Sequence, residues 1–405
     1  MPKPRSTPIT SAKSAPESTP RPKPKAVRKP TAPKKSPRPR LDDRPSVRPA
    51  IDLALQGGGS HGAFTWGVLD RLLQHDGLEL SGISGTSAGA LNGAVMLSGY
   101  AQGHESASGS RKDKVEAARE AARQALDGFW NDVSINGMGF TPMSLGPQGM
   151  FRPSYNLNEL PGYEWLSMFT QTLSPYLLNP FNINPLRSVL ERHVSIPALR
   201  QLDQQCGIKL FVAATSVRTG QAKVFDGDSL SVDALLASVC LPFMFQAVEI
   251  DGDAYWDGGY TGNPALYPLI YHTDCMDILL VKINPLQRRE LPQRSLDILD
   301  RLSEITFNAG LIGEMRAIAF VQRLLRDEKI EPGRYKDLHM HMIADDEGLA
   351  PYNASSKSNT DRRFLHHLRD MGHAAADRWL HEHRQNVGHH STMDIDETFL
   401  SLNQS

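Results

Sequence analysis

Two glycine-rich turns, each set between an apolar strand pattern and a helical pattern, constrain this chain more than any other feature. The first is Gly57-Gly58-Gly59-Ser60-His61-Gly62. It follows AIDLALQ (residues 50–56), a short apolar run that ends at the glycines and reads as a buried strand. It precedes residues 60–75, where Phe64, Val68, Leu69, Leu72 and Leu73 recur at helical spacing. The second turn is Gly85-Thr86-Ser87-Ala88-Gly89, after LELSGIS (78–84), a second strand pattern. AGALNGAVMLSGY (88–100) follows, small and apolar on most sides, as in a helix buried against a sheet. Strand, turn, helix, strand, turn, helix is the rhythm of a parallel α/β sheet.

Both turns have a chemical reading. Ser87, flanked by Gly85 and Gly89, fits G-x-S-x-G, in which a strained strand-to-helix turn projects a serine hydroxyl away from the backbone. The consecutive glycines let the N–H groups of Gly57, Gly58, Gly59 and Ser60 turn toward one point at a helix N-terminus, a setting that suits a developing oxyanion. The same letters satisfy G-x-G-x-x-G through Gly57, Gly59 and Gly62. A dinucleotide site also needs an acidic residue at the end of the next strand. That strand ends Ser84-Gly85-Thr86-Ser87, so the dinucleotide reading is set aside. No Gly-Lys-Ser/Thr follows, which excludes a P-loop. A third feature, YWDGGYTGNP, places Asp257 before Gly258 and Gly259. Asp-Gly-Gly in isolation is a turn. A serine hydroxyl, however, is a weak nucleophile until a neighbour takes its proton, and Asp257 is a candidate base.

Taken in order, GGGSHG, GTSAG and DGG resemble the patatin-like phospholipases, across residues 50–285. The resemblance implies an α/β, three-layer fold with a mainly parallel central sheet flanked by helices. It implies a Ser–Asp dyad without histidine: Ser87 as nucleophile, Asp257 as base, and backbone amides of Gly57, Gly58, Gly59 and Ser60 as the oxyanion hole. Gly62, Gly85, Gly89, Gly258 and Gly259 complete the motifs. The implied activity is hydrolysis of fatty acyl esters of phospholipids or related lipids, with no metal or organic cofactor. Many members carry arginine where this chain has His61, so any arginine contact to a phosphate is lost at that position. Two rivals stand beside this reading. One is a non-catalytic lipid- or anion-binding protein of the same fold. The other is a Ser-Asp-His hydrolase that would draw on His272, His339 or His341, although such enzymes place several strands before their serine turn.

The rest of the chain sets the frame. Residues 1–40 hold twelve Lys or Arg, eleven Pro and one acidic residue, Glu17, so the 1–47 leader is expected to be disordered. Its charge offers electrostatic contact with an anionic membrane, and without interleaved aromatics a nucleic-acid site is not expected. Residues 48–290 are read as the catalytic domain. Within it, 101–114 is expected to be a flexible loop and 115–129 a helix. The irregular stretch 131–185 is a candidate cap or acyl pocket, carrying Met138, Phe140, Met143, Met150, Phe151, Tyr155, Trp165 and Phe169. Strands are expected at 208–220, 223–227, 247–259 (a hairpin) and 276–285. Helices are expected at 232–245, 295–327 and 360–385, the last two within a helical extension spanning 291–405. Three cysteines, Cys206, Cys240 and Cys275, match no disulfide framework and suit a reducing, cytoplasmic setting. Seven of the fourteen histidines fall between His366 and His390 and read as a solvated helix face rather than a metal site.

Overall fold

The structure, a computed structural model, describes residues 48–137, 155–160, 162–163, 172–288, 290–331 and 333–401. The basic leader, and the cap residues Met138, Phe140, Met143, Met150, Phe151, Trp165 and Phe169, lie outside these. Residues from Arg48 onward form one compact unit.

Five parallel strands make the centre. β1 (Ala50–Leu55) pairs with β2 (Glu79–Thr86) on one side and with β7 (Asp277–Val281) on the other. β3 (Lys209–Ser216) continues the sheet beyond β2, and β8 (His339–Ile343) beyond β7. Three antiparallel strands join at β3: β4 (Ala222–Phe225), and the hairpin of β5 (Val248–Ile250) and β6 (Asp253–Asp257). The hairpin turns at Asp251 and Gly252, both at positive φ, as the Asp-Gly pair predicts.

Helices cover both faces, and the alternation of β1 explains why. Ile51, Leu53 and Leu55 enter one core with residues of α1 (Gly62–Gln74), α2 (Ala88–Ser106) and α3 (Arg111–Gly137). Ala54 enters the other, with Leu269 of α7 (Tyr267–His272) and Leu311 and Met315 of α8 (Ser295–Arg326). Between α3 and β3, α4 (Pro185–His193) and α5 (Ile196–Cys206) start at the capping side chains of Asn184 and Ser195. α6 (Val232–Ser238) ends before Pro242, and α9 (Arg362–His383) packs on α1. Among the described residues no helix is long and apolar enough to cross a membrane.

Three expectations are corrected. The loop expected at 101–114 shrinks to 107–110: α2 runs on to Ser106 and α3 begins at Arg111, because Ala118 and Ala122 of α3 present a small face on which α2 packs. The irregular stretch begins later than expected, since α3 continues to Gly137. The extension 291–405 is not purely helical, because it supplies β8. The sequence His-Met-His-Met-Ile lacks an apolar run, yet it is buried because its histidines are satisfied. Nε2 of His341 lies 3.0 Å from Asp277 Oδ1 and its Nδ1 2.9 Å from Thr392 Oγ1, while His339 Nδ1 lies 3.2 Å from the same Asp277 oxygen.

Candidate active site

The carboxyl ends of β1 and β2 lie side by side, so both glycine-rich turns open at the same edge of the sheet, where α/β proteins bind ligands. At the second turn Ser87 adopts φ 53°, ψ −128°, a conformation that costs a non-glycine residue on the order of 1–3 kcal/mol. Packing holds it there. The Ser87 N–H donates to Ser238 Oγ at 2.9 Å. A side chain at Gly89 would collide with the carbonyls of Leu55 and Gln56, so only glycine lets α2 start this close to β1. Gly85 abuts the Ala90 backbone in the same tight turn.

The register of β3 brings the acid to the serine. β4 occupies one edge of β3. Along the other edge, β2 pairs from Lys209 to Ala213 and stops, with Thr86 opposite Ala213. β6 then takes over that edge, with Asp257 opposite Ala214. Ser87 and Asp257 therefore follow each other on adjacent rungs although 170 positions separate them. Gly258, packed on the Ala213 backbone, and Gly259 carry the chain onward. Asp257 is fully buried. Its Oδ1 accepts the Gly259 N–H at 2.7 Å, whereas its buried Oδ2 has no hydrogen-bond partner of ordinary geometry among the described residues. Burial pushes the carboxyl pKa up to about 7, against smaller lowering effects of the Gly259 N–H and the Ser87 side chain.

The first turn lies directly against Ser87, since a Cβ at Gly57 would stand 2.5 Å from Ser87 Cβ. Three polar side chains that the motif reading missed clamp this loop. Asn263 accepts the Gly57 N–H at 2.6 Å, Asn284 Nδ2 donates to the Gly57 carbonyl at 2.7 Å, and Gln56 Oε1 accepts the N–H groups of Ile283 and Asn284. The Gly57 amide is therefore spent, which removes it from the expected oxyanion donors. Among the described residues, the N–H groups of Gly58, Gly59 and Ser60 donate to no protein acceptor. Gly59 adopts φ +59°, and its Cα faces the Lys357 carbonyl. Gly62 then starts α1 against Ala88, with Asn92 Nδ2 donating to the carbonyls of both Gly62 and Ala88.

His61 points away from this centre. It is buried, its Nε2 lies 2.7 Å from Ser356 Oγ, and burial drives its pKa down to about 3, so its ring is neutral at physiological pH. No histidine among the described residues lines the cavity around Ser87. His339 and His341 are committed to Asp277 and His272 is exposed, so a Ser-Asp-His triad has no geometric support.

The cavity that contains Ser87, Asp257 and the Gly58–Ser60 loop measures about 380 Å³. Its walls are largely apolar, with Leu91 of α2, Phe129 and Trp130 of α3, Leu186 and Val189 of α4, and Phe307 of α8. Among the described residues, Val133, Asn136, Asn184 and Pro185 of the 131–185 stretch also line it, while the named cap residues other than Tyr155 lie outside those described. Tyr155 packs instead on Phe364 of α9, with ring centroids 4.6 Å apart.

A patatin-like phospholipase family model matches residues 53–270, more than half of the chain. The chain belongs to the patatin-like phospholipases. Their motifs fall where that match lies, and the mainly parallel sheet between helices is the α/β fold expected of such a member. Among solved structures, this patatin-like chain is similar to the crystal structure of VipD from Legionella pneumophila. That likeness has 11% identity and a TM-score of 0.33, over 88% of this chain and 73% of that one. No curated protein matches the sequence.

Proposed function

We propose that this chain is a serine acyl hydrolase that cleaves fatty acyl esters of phospholipids or related lipids through a Ser87–Asp257 dyad. The observation that carries the reading is the shared edge of β3, which sets the buried carboxyl beside the strained serine turn. In the proposed cycle Asp257 takes the Ser87 proton as Oγ attacks the ester carbonyl. The amides of Gly58, Gly59 and Ser60 hold the oxyanion, and the alcohol leaves with a proton returned from Asp257. Water, deprotonated by the same carboxylate, then releases the fatty acid from the acyl-enzyme. The apolar cavity accommodates an acyl chain better than a small polar ester. Next in sequence to its lining residues, Ile183, Phe243 and Leu302 are exposed, which favours work at a lipid surface.

Two results test the reading. A fluorophosphonate probe should label the protein at Ser87 and leave Ser87→Ala unlabelled. Absence of labelling would favour the non-catalytic binding protein. The base role also sets a pH dependence. Asp257 works only as the carboxylate, and its pKa is raised to about 7, so kcat/KM on an uncharged ester should climb with pH through about 7 and level off above it. A rate that is flat from pH 5 to 8 would remove Asp257 from the base role.

A further inference from the structure

Lys357 is the one lysine, arginine or histidine among the described residues lining the Ser87 cavity. It lies far outside the catalytic motifs, in the segment that connects β8 to α9. That segment is strapped to the glycine loop. The Lys357 carbonyl faces Gly59, and neighbouring Ser356 holds His61. The Lys357 ammonium donates to Asn284 Oδ1 at 2.8 Å, and Asn284 in turn donates to the Gly57 carbonyl. A lysine ammonium has three donors, so this bond leaves two.

The surroundings do not neutralise the remaining charge. Of the two carboxylates that act on Lys357, Glu304 is already bonded to Arg288 at 2.6 Å and to Arg301 at 3.0 Å. Asp300 is the other, and no hydrogen bond joins it to the lysine. Burial, with a smaller contribution from Arg288, pushes the Lys357 pKa down against the pull of these two carboxylates, so the ammonium is poorly compensated where it lies. An ammonium withdrawn from water into such a site is stabilised by an arriving anion. Most of the side chains around the rest of the cavity are apolar, so the cavity combines one cationic residue with an apolar lining. In a glycerophospholipid the phosphate lies a few bonds from the ester carbonyls, which matches a cation set beside the oxyanion loop.

We propose that Lys357 recognises the headgroup: its ammonium binds the phosphate of a phospholipid while the ester carbonyl lies at Ser87. The assignment rests on the acyl-hydrolase reading above for the placement of the ester. It makes Lys357 a specificity-determining residue, and it restores from the C-terminal part of the chain the cation that the glycine loop lacks at His61.

A matched pair of soluble substrates tests it, dihexanoylphosphatidylglycerol and dihexanoylglycerol, which differ only in the headgroup. Lys357→Met should lower kcat/KM on the phospholipid relative to the diacylglycerol by about tenfold or more, mainly through KM. Lys357→Arg should restore most of the preference, which a merely structural lysine would not produce. Equal loss on both substrates, or loss on neither, would overturn the assignment. A binding arm needs no turnover. The Ser87→Ala protein should bind dihexanoylphosphatidylglycerol about tenfold or more weakly once Lys357→Met is added. If binding depends on Lys357 but no ester is cleaved by the parent protein, the hydrolase reading fails and the subsite stands. If cleavage occurs with binding independent of Lys357, the subsite fails alone. Inorganic phosphate separates the two sources of the anion. Competition by phosphate as strong as that by the phospholipid, without preference between the two substrates, would make this a free-anion site and overturn headgroup recognition.

Discussion

Ser87→Ala is expected to lower kcat/KM on acyl esters by roughly a thousandfold or more while leaving the fold intact. The loss is large because no other group can take the role. On the proposed mechanism the amides of Gly58, Gly59 and Ser60 can still polarise a carbonyl, but without the hydroxyl no acyl-enzyme forms and only direct attack by unpositioned water remains. The fold survives because the turn at φ 53° is held by packing and by the Ser87 N–H bond to Ser238, neither of which involves the hydroxyl. The check is ester hydrolysis combined with thermal melting of both proteins. Residual activity within about tenfold of the parent would place the chemistry elsewhere.

Asp257→Asn should cost roughly as much activity, and it should do so with a gain in stability. An amide keeps the oxygen that accepts the Gly259 N–H but cannot take a proton from Ser87. The stability sign follows from linkage. The carboxyl pKa is about 7 when folded and 3.8 as a free side chain, so the unfolded chain ionises first. The folded state is therefore favoured by the neutral acid below about pH 4, and this advantage is lost as pH rises to about 7. At pH 8 the parent carries a desolvated carboxylate with one oxygen unpartnered, and the asparagine variant does not. The variant should melt higher than the parent at pH 8, and the difference should narrow toward pH 5. A variant that melts lower at pH 8 would mean that the carboxylate is stabilised by something other than the groups identified around it.

The parts of this molecule that sequence reveals are those in which the backbone itself is constrained. Ser87, Asp257 and the loop at Gly58–Ser60 sit at turns with steric demands that few residue types meet, and glycine spacing records those demands. β1, β3 and β7 are largely buried on both faces and read as apolar runs, while β2 is marked by the glycine-rich turn at its end. What escaped are contacts made across the chain by ordinary polar residues. Asn263 and Asn284 clamp the glycine loop from 206 and 227 residues away, and nothing in their local sequence distinguishes them from turn asparagines. β8 escaped because it buries His341, whose partners, Asp277 and Thr392, are distant in sequence. Lys357 was invisible for the same reason, since its place beside Gly59 is a matter of how the C-terminal segment folds back. The helices α4 and α5 did carry local signals, Asn-Pro and Ser-Ile-Pro at their starts, which capping rules could have read.

The most direct test of the central claim is to incubate the protein and its Ser87→Ala variant with mixed phospholipid vesicles and identify the products by mass spectrometry. The account predicts free fatty acid and lysophospholipid from the parent protein and neither from the variant. The same products from both proteins would contradict the dyad. Absence of products from the parent, on vesicles and on short-chain esters alike, would contradict the assignment as an acyl hydrolase.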